Sequence, residues 1–483
     1  MLTMKVVLTN PLLLSFEKAY DSRAGSQPMG ILYIATLLEK NGIEVSVVDQ
    51  PGEKISDLAL VKKIKRIDPD ILGFSTLIST GIRAAKQAHD LKKWNPNLPI
   101  VFGGYYATMN AERILKKYPQ VDYIIKGEGE YSMLSLVQAL ESDGDLRKIG
   151  GLVYRENGKI KYGKEEELIL DLDRLPIPRR EFVQRNDYGY ISGAKMPKFT
   201  SILSSRGCPF ACTYCCCAAF AHRRWRPRSV ENVVDEIEQV ISEGYENVLF
   251  IDDNFTINKK RVTRICKLIR KRKLEFNWIA EGRVDSASRE MFQSMVSAGF
   301  KILYIGIESA NQRILDYYNK GTKVDQAVAA VNNARKAGTD IITGTFIVGA
   351  PTETVSEIHN TISFAAKLDL DFPQFNILSA IPGAKIHDDL VKSGYINQET
   401  GWEDAVDVPE VHPDCVPEER IAQIIAEGYQ RFIRRPGWAA KELIRTIKSG
   451  YRIKLVSTNI RVGRRLYDQL VGSFTGKPTT EIT

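Results

Sequence analysis

The chain has 483 residues, 43% of them hydrophobic and 26% charged, with a formal net charge of +8. That length and balance suit an ordinary globular protein of two or three domains. No apolar run approaches the roughly 18 residues of a membrane span and no basic-then-apolar signal opens the chain, so a cytoplasmic protein that does not span a membrane is expected.

Residues 1–142 alternate short apolar runs with amphipathic stretches. KVVLTN (5–10), IEVSVV (43–48), DILGFST (70–76), PIVFGG (99–104) and VDYIIKG (121–127) predict buried strands, and GILYIATLLEKNG predicts a helix stopped at Gly42. Five such units imply a doubly wound parallel sheet, which binds ligands at the carboxyl ends of its strands. Those ends read TNP, FST, FGGYYAT and KGEGE.

Residues 143–195 change character. GGLVYRENGKIKYG predicts a hairpin around Glu156-Asn157-Gly158, and Pro176 and Pro178 stiffen the linker that follows. From 196 to 400 the alternation resumes with six strand-like segments, the pattern of a partial (β/α)6 barrel of the TIM type. Its unusual motifs, from the cysteines to Gly349-Ala350-Pro351, all fall after strands, where such barrels do their chemistry.

Residues 401–483 predict a helical basic tail. From Arg431 to Arg465 there are eleven Lys/Arg and one acid, Glu442, a local surplus larger than the whole chain's net charge. Ala440, Leu443, Ile444, Ile447 and Tyr451 form one apolar stripe among them.

Five of the seven cysteines lie in RGCPFACTYCCCAAF (206–220). Clustering and an odd total fit a metal or redox site better than disulfides. Cys208, Cys212 and Cys215 are spaced C-x3-C-x2-C. A zinc site wants a second pair, for which Cys217 and His222 are candidates, and a ferredoxin-type cluster wants a fourth thiolate from Cys216 or Cys217. A four-iron cluster on three thiolates instead leaves one iron open for chemistry. Buried packing is the remaining reading of free cysteines.

With Tyr214 before the third cysteine, the motif follows the first strand of the second alternating region. Together with WRPRSVENVVDEI, FIDDNF, GRVD, IGIES and FIVGAPTET, it resembles the radical SAM superfamily over about residues 1–435. The N-terminal region makes it similar to the branch with a Rossmann-like cobalamin-binding domain. That branch includes the anaerobic magnesium-protoporphyrin ester cyclase, hopanoid methylases and archaeal lipid-modifying enzymes. The resemblance implies a [4Fe-4S] cluster on Cys208, Cys212 and Cys215, with S-adenosylmethionine on the open iron. It places Asp253 and Arg283 near the methionine end, Glu308 near the ribose, and backbone around Phe346 to Gly349 and Ile381 beside the adenine, with Tyr214 and Ser309 as further contacts to S-adenosylmethionine. Asp253 and Glu308 are also its candidate catalytic residues. Glu353 stands one place late for the family's GxIxGxxE pattern.

The resemblance further implies cobalamin against Asn10, Gly30, Ser75, Gly103, Gly104, Tyr106, Gly127 and Glu128. D-x-H-x-x-G is absent and the first histidine, His89, falls in a predicted helix, so the cofactor is expected base-off, without a histidine ligand. A domain that has lost cobalamin and serves as scaffold is the alternative. Methylthiotransferases are excluded, since no cysteine precedes Cys208 to hold their second cluster. The expected activity is radical modification of an unactivated carbon in a small hydrophobic substrate, a lipid or tetrapyrrole, by methylation or by carbon–carbon bond or ring formation. An external one-electron reductant, flavodoxin or ferredoxin, is implied. Peripheral membrane contact through 436–470 is expected, and nucleic acid is not. An iron–sulfur or zinc protein with a structural or electron-transfer role is the rival reading. Cys216 and Cys217 are read as packing residues.

Overall fold

The structure is a computed structural model that describes residues 4–13, 24–191 and 194–459. Its first sheet holds β1 (Lys5–Asn10), β2 (Glu44–Asp49), β3 (Ile71–Ser75), β4 (Ile100–Gly103), β5 (Tyr123–Ile125), β6 (Leu152–Glu156) and β7 (Lys159–Tyr162). The strand order is β2-β1-β3-β4-β5-β6-β7, parallel to β5 and antiparallel beyond it. Strand order reverses between β1 and β3, the switch point at which doubly wound sheets open a ligand crevice. Both faces are covered: Val6 and Leu8 enter one core and Val7 the other. That is why KVVLTN reads as a continuous apolar run rather than an alternating one.

The hairpin forms as expected, closed by Asn157 and Gly158, both at positive φ. It is not a separate segment, because β6 pairs with β5 and extends the first sheet. The linker after it is held by Arg180, whose buried guanidinium donates to Glu236, Thr200 Oγ1 and the carbonyls of Pro178 and Ser201. Arg228 shares the same carboxylate. Severing one leg of such a buried pair costs about 3–5 kcal/mol.

The second sheet runs β8 (Phe199–Ile202), β9 (Asn247–Phe250), β10 (Asn277–Arg283), β11 (Phe300–Glu308), β12 (Ile341–Val348) and β13 (Phe372–Ile377), all parallel and in chain order. The first and last of these strands do not pair, so the (β/α)6 arrangement stays open. Ser229, Asn258, Ser288 and Thr354 each cap the helix that follows them. The core centres on Trp278, whose Nε1–H donates 2.8 Å to the Ala298 carbonyl.

The chain then returns to the first domain, where Trp402 stacks 5.9 Å from Tyr106 and Tyr118 donates to Glu403. The helix Glu418–Ile433 packs on Val355–Lys367 through Gly428 and Ile362. The helix Trp438–Lys448 buries no residue, yet its Arg445 grips Asp369 at 2.6 and 2.7 Å. Arg452 pairs with buried Asp371 and with Glu442. Part of the basic tail is thus neutralised against the second domain. Residues 460–470 of the expected membrane contact lie outside the described residues.

Candidate active site

The cysteines sit in a loop that opens and closes on a short ribbon, Ser205–Arg206 against Arg226–Pro227. Gly207 has φ +83°, and a Cβ there would collide with the Arg224 carbonyl, so the turn into Cys208 requires glycine. Asp253 Oδ2 accepts the Gly207 N–H at 2.9 Å. Asn319 Nδ2 donates 2.9 Å to the Ala211 carbonyl, and the Thr213 N–H donates 2.9 Å to the Tyr318 carbonyl. The Ile386 N–H closes the other side on the Thr213 carbonyl at 3.0 Å. The loop is therefore anchored at three places before any metal enters: the turn after β9, the end of the helix Gln312–Tyr317 and the start of the helix Lys385–Lys392.

Cys208, Cys212 and Cys215 are half-buried and free. Among the described residues, no three thiols or imidazoles gather within 4.8 Å of one another. A single zinc with Zn–S near 2.3 Å needs sulfurs about 3.8 Å apart. The three thiols therefore do not stand at the spacing of a single-zinc site, and Cys217 and His222 do not complete one with them. Burial pushes the Cys215 thiol up to about 12. Cys217 is buried, and burial and the nearby Asp253 carboxylate push its thiol far up.

Next to the cysteines the second domain assembles a polar group. Arg283 reaches 3.8 Å to Cys212 Sγ, packs 3.7 Å from the Phe210 ring centroid and is held by Asp285 and the Lys320 carbonyl. Glu308 ends β11 at φ +67°, past an irregularity in the β11–β12 register. Its Oε1 accepts from Lys320 Nζ at 2.5 Å and from the Tyr214 hydroxyl at 3.1 Å. Tyr214, Arg283 and Glu308 are therefore brought together.

The other expected residues lie elsewhere. Ser309 is fully buried with its Oγ 3.3 Å from Thr361 Oγ1. Phe346 is a core side chain packed on Phe375, leaving only its backbone to line a site. Ile381 packs against the first domain's core. Gly349 donates its N–H to Glu353 Oε2 at 2.7 Å, so the glutamate one place late caps its own turn, helped by Thr352 at φ +63°.

Between the domains lies a cavity of about 370 Å³. Its first-domain wall is made of strand ends: Gly73–Ser75, Gly103–Tyr105 and Gly127–Glu130, with Gly30 at a helix start. Its opposite wall is Ser205–Gly207, Phe220, Arg226 and Asp253. Gly30, Ser75, Gly103, Gly104, Gly127 and Glu128 thus face it. Asn10 instead hydrogen-bonds Asp49, and Tyr106 is fully buried against Gly81 and Trp402. Tyr105 takes the cavity position because the helix begins at that residue, which turns the next side chain inward.

The cavity fits a corrinoid on its own chemistry. Five first-domain glycines leave bare backbone along the strand ends, and a Cβ on a sixth, Gly30 at the helix start, would meet nothing within 4 Å. The remaining wall is largely apolar, with aliphatic and aromatic side chains, which suits a broad flat ring. Sequence reasoning did not find Lys320, Tyr105, Arg206 or Arg226. The arginines had no distinguishing signal, since Arg226 is one of four arginines between 223 and 228 and its pairing with Arg206 on the ribbon is a tertiary choice.

Comparison with known proteins agrees with this geometry. Residues 202–365 match the radical SAM superfamily model, and residues 23–137 match the B12 binding domain model. An uncharacterised methyltransferase of Pyrococcus horikoshii is 33% identical over 445 residues, covering 92% of this chain and 95% of the relative. The anaerobic magnesium-protoporphyrin IX monomethyl ester cyclase of Rubrivivax gelatinosus is 28% identical over 442 residues, covering 89% and 77%. The structure of the radical S-adenosylmethionine methyltransferase TsrM from Kitasatospora setae, with cobalamin and a [4Fe-4S] cluster bound, superposes with a TM-score of 0.68. It shares 18% identity and covers 81% of this chain and 78% of that one. That likeness shows the fold.

Proposed function

This chain belongs to the radical SAM superfamily, in the branch with a B12-binding domain ahead of the radical SAM domain, and from that premise we propose that it methylates an unactivated carbon of a small, largely apolar substrate. The observation that carries the reading is the shared cavity: strand ends fit for a corrinoid form one wall, and the two ends of the cysteine loop, Arg206–Gly207 and Phe220–Ala221, with Arg226, lie in the other. Methylation is favoured over ring formation because the relative aligned over 92% of the chain is a methyltransferase. Ring formation is the second reading, supported by the cyclase relative.

Cys208, Cys212 and Cys215 would hold a [4Fe-4S] cluster. Bound there with S-adenosylmethionine, and with an external flavodoxin or ferredoxin as reductant, it would supply radical chemistry, and a corrinoid in the cavity would supply a methyl carrier. Arg283 sets a fixed positive charge beside Cys212, suited to the carboxylate of S-adenosylmethionine. Glu308, oriented by Lys320 and Tyr214, offers an acceptor for ribose hydroxyls. Asp253 is exposed to the cavity and holds the Gly207 turn, which keeps Cys208 in place.

Among the described residues, no helix is long and apolar enough to cross a membrane. Leu443, Ile444 and Ile447 are 61%, 52% and 66% exposed, which supports a peripheral contact with an anionic membrane as the source of an apolar substrate.

The test is anaerobic reconstitution with iron, sulfide and hydroxocobalamin, then dithionite and S-adenosylmethionine. Both 5′-deoxyadenosine and S-adenosylhomocysteine are expected. The first without the second favours ring formation, and neither, from protein with a full cluster, rejects the enzyme.

A further inference from the structure

All five clustered cysteines lie between Arg206 and Arg226, which stand directly opposite each other on the ribbon. Both guanidiniums leave the second domain and meet Glu128, beyond the end of β5 in the first. Arg206 Nη1 donates to Glu128 Oε1 at 2.9 Å. Arg226 Nη1 donates to Oε2 at 2.7 Å and its Nη2 to Oε1 at 3.0 Å. The Ile169 N–H adds a bond to Oε2 at 2.7 Å. Four donors saturate the two carboxylate oxygens, so Glu128 has no lone pair left for a cofactor. Arg206 Nη2 also donates 2.5 Å to Glu130 Oε1.

The node is buried: side-chain exposure is 3% for Glu128, 4% for Glu130, 14% for Arg206 and 7% for Arg226. Its two carboxylates balance its two guanidiniums. It also forms part of the cavity wall, together with Tyr33, whose ring lies 5.0 Å from the Arg206 guanidinium. Arg206 is joined to Cys208 through the single residue Gly207, itself fixed by Asp253. At the far end of the segment, Phe220 stacks 4.2 Å from Tyr105 of the first domain. The cysteine segment is therefore fastened to the first domain at two points, both in the wall that a corrinoid would touch.

We infer that Glu128 is a positioning residue that couples the two cofactor sites, so that filling the cluster site changes the affinity of the cavity for a corrinoid. This rests on the reading of the cavity as a corrinoid site. A group seated against the node meets side chains whose positions also set Cys208, and coupling of this kind is reciprocal.

The experiment titrates the full-length protein with hydroxocobalamin, followed by absorbance, in cluster-free and cluster-loaded forms. Wild type, Glu128→Gln and Glu130→Gln are compared, with a melting curve for each. The ratio of the two dissociation constants is expected to be about fivefold or more in wild type. It should fall to near one in Glu128→Gln and to an intermediate value in Glu130→Gln, which keeps the Glu128 bonds. A purely structural role lowers the melting temperature and leaves the ratio alone, which overturns the inference. If Glu128→Gln does not fold, an unchanged ratio in Glu130→Gln overturns it. A ratio of one in wild type overturns the coupling while the corrinoid reading stands. No binding to either wild-type form overturns that reading and the coupling with it.

Discussion

Lys320 Nζ lies 2.5 Å from Glu308 Oε1, with side-chain exposures of 6% and 7%. The pair joins the end of β11 to the turn that anchors the cysteine loop through Asn319. Lys320→Met leaves a buried carboxylate without its partner, and a loss of about 3–5 kcal/mol is expected in chemical unfolding. Affinity for S-adenosylmethionine should fall about tenfold or more, as Glu308 loses its orientation. The double variant Lys320→Met/Glu308→Gln should be more stable than Lys320→Met alone. An unchanged affinity in either variant removes Glu308 from the ribose site.

The cysteine loop offers a sharper separation of roles. Cys212→Ala should abolish iron incorporation and the broad visible absorbance of a reconstituted cluster, while Cys216→Ala should retain both. Gly207→Ala forces a left-handed turn onto a residue with a Cβ, costing more than about 1 kcal/mol, and displaces Cys208. Iron content per chain, measured after anaerobic reconstitution, should drop in Gly207→Ala with the far-UV spectrum intact. Full iron in Cys212→Ala, or none in Cys216→Ala, contradicts the ligand assignment.

How much of this site was readable in advance follows from the kind of constraint at each residue. Gly103, Gly104 and Gly127 were legible as cavity-lining positions because glycines at the ends of parallel strands stand out, although at Gly104 it is the Thr76 carbonyl and φ +91° that exclude a side chain. The cysteines were legible because thiols in that spacing have few other uses. Tyr105 was not, because choosing between adjacent tyrosines requires the helix phase, and Trp402, 296 residues later, is what receives Tyr106. Lys320 carries no local signal, since its partner sits on another strand end. The hairpin at 152–162 was legible from its Asn-Gly turn, but its pairing with β5 is a tertiary choice that hairpin chemistry does not encode. In the tail, the run of positive charge was plain, whereas two of the three acids that neutralise Arg445 and Arg452, Asp369 and Asp371, lie on the loop before β13.

Glu353 predicts a pH dependence. Burial pushes its carboxyl from about 4.5 up to about 7, against two backbone N–H groups that pull it down. The folded protein then holds this proton where the unfolded chain has released it. Stability from this group is full below about pH 4.5 and is lost as pH rises toward 7. Glu353→Gln keeps an oxygen for the Gly349 and Ala350 N–H groups and removes the titration. Its stability relative to wild type should therefore rise by on the order of 3 kcal/mol between pH 4.5 and pH 8, read from urea unfolding. Asp49, also raised by burial, is present in both proteins and cancels in the difference. A difference that stays flat with pH shows that Glu353 ionises normally in the fold.

The C-terminal helix separates two roles that its composition merges. Leu443, Ile444 and Ile447 project from a helix that buries none of its own residues, whereas Arg445 is tied to Asp369. Replacing the three apolar residues by serine should leave the melting temperature close to that of wild type. It should markedly reduce co-sedimentation with vesicles containing phosphatidylserine, because the apolar insertion is lost. Arg445→Gln and Arg452→Gln should behave in the opposite way. Each strips a partner from Asp369 or buried Asp371 and lowers stability, by about 3–5 kcal/mol for the buried pair. Their vesicle binding should change less, since those charges already face protein carboxylates. Binding should weaken as salt rises over a Debye length of about 10 Å at 0.1 M, with an apolar part that persists. Wild-type protein that stays in the supernatant with anionic vesicles at low salt rejects the membrane contact, and the exposed stripe then needs another partner.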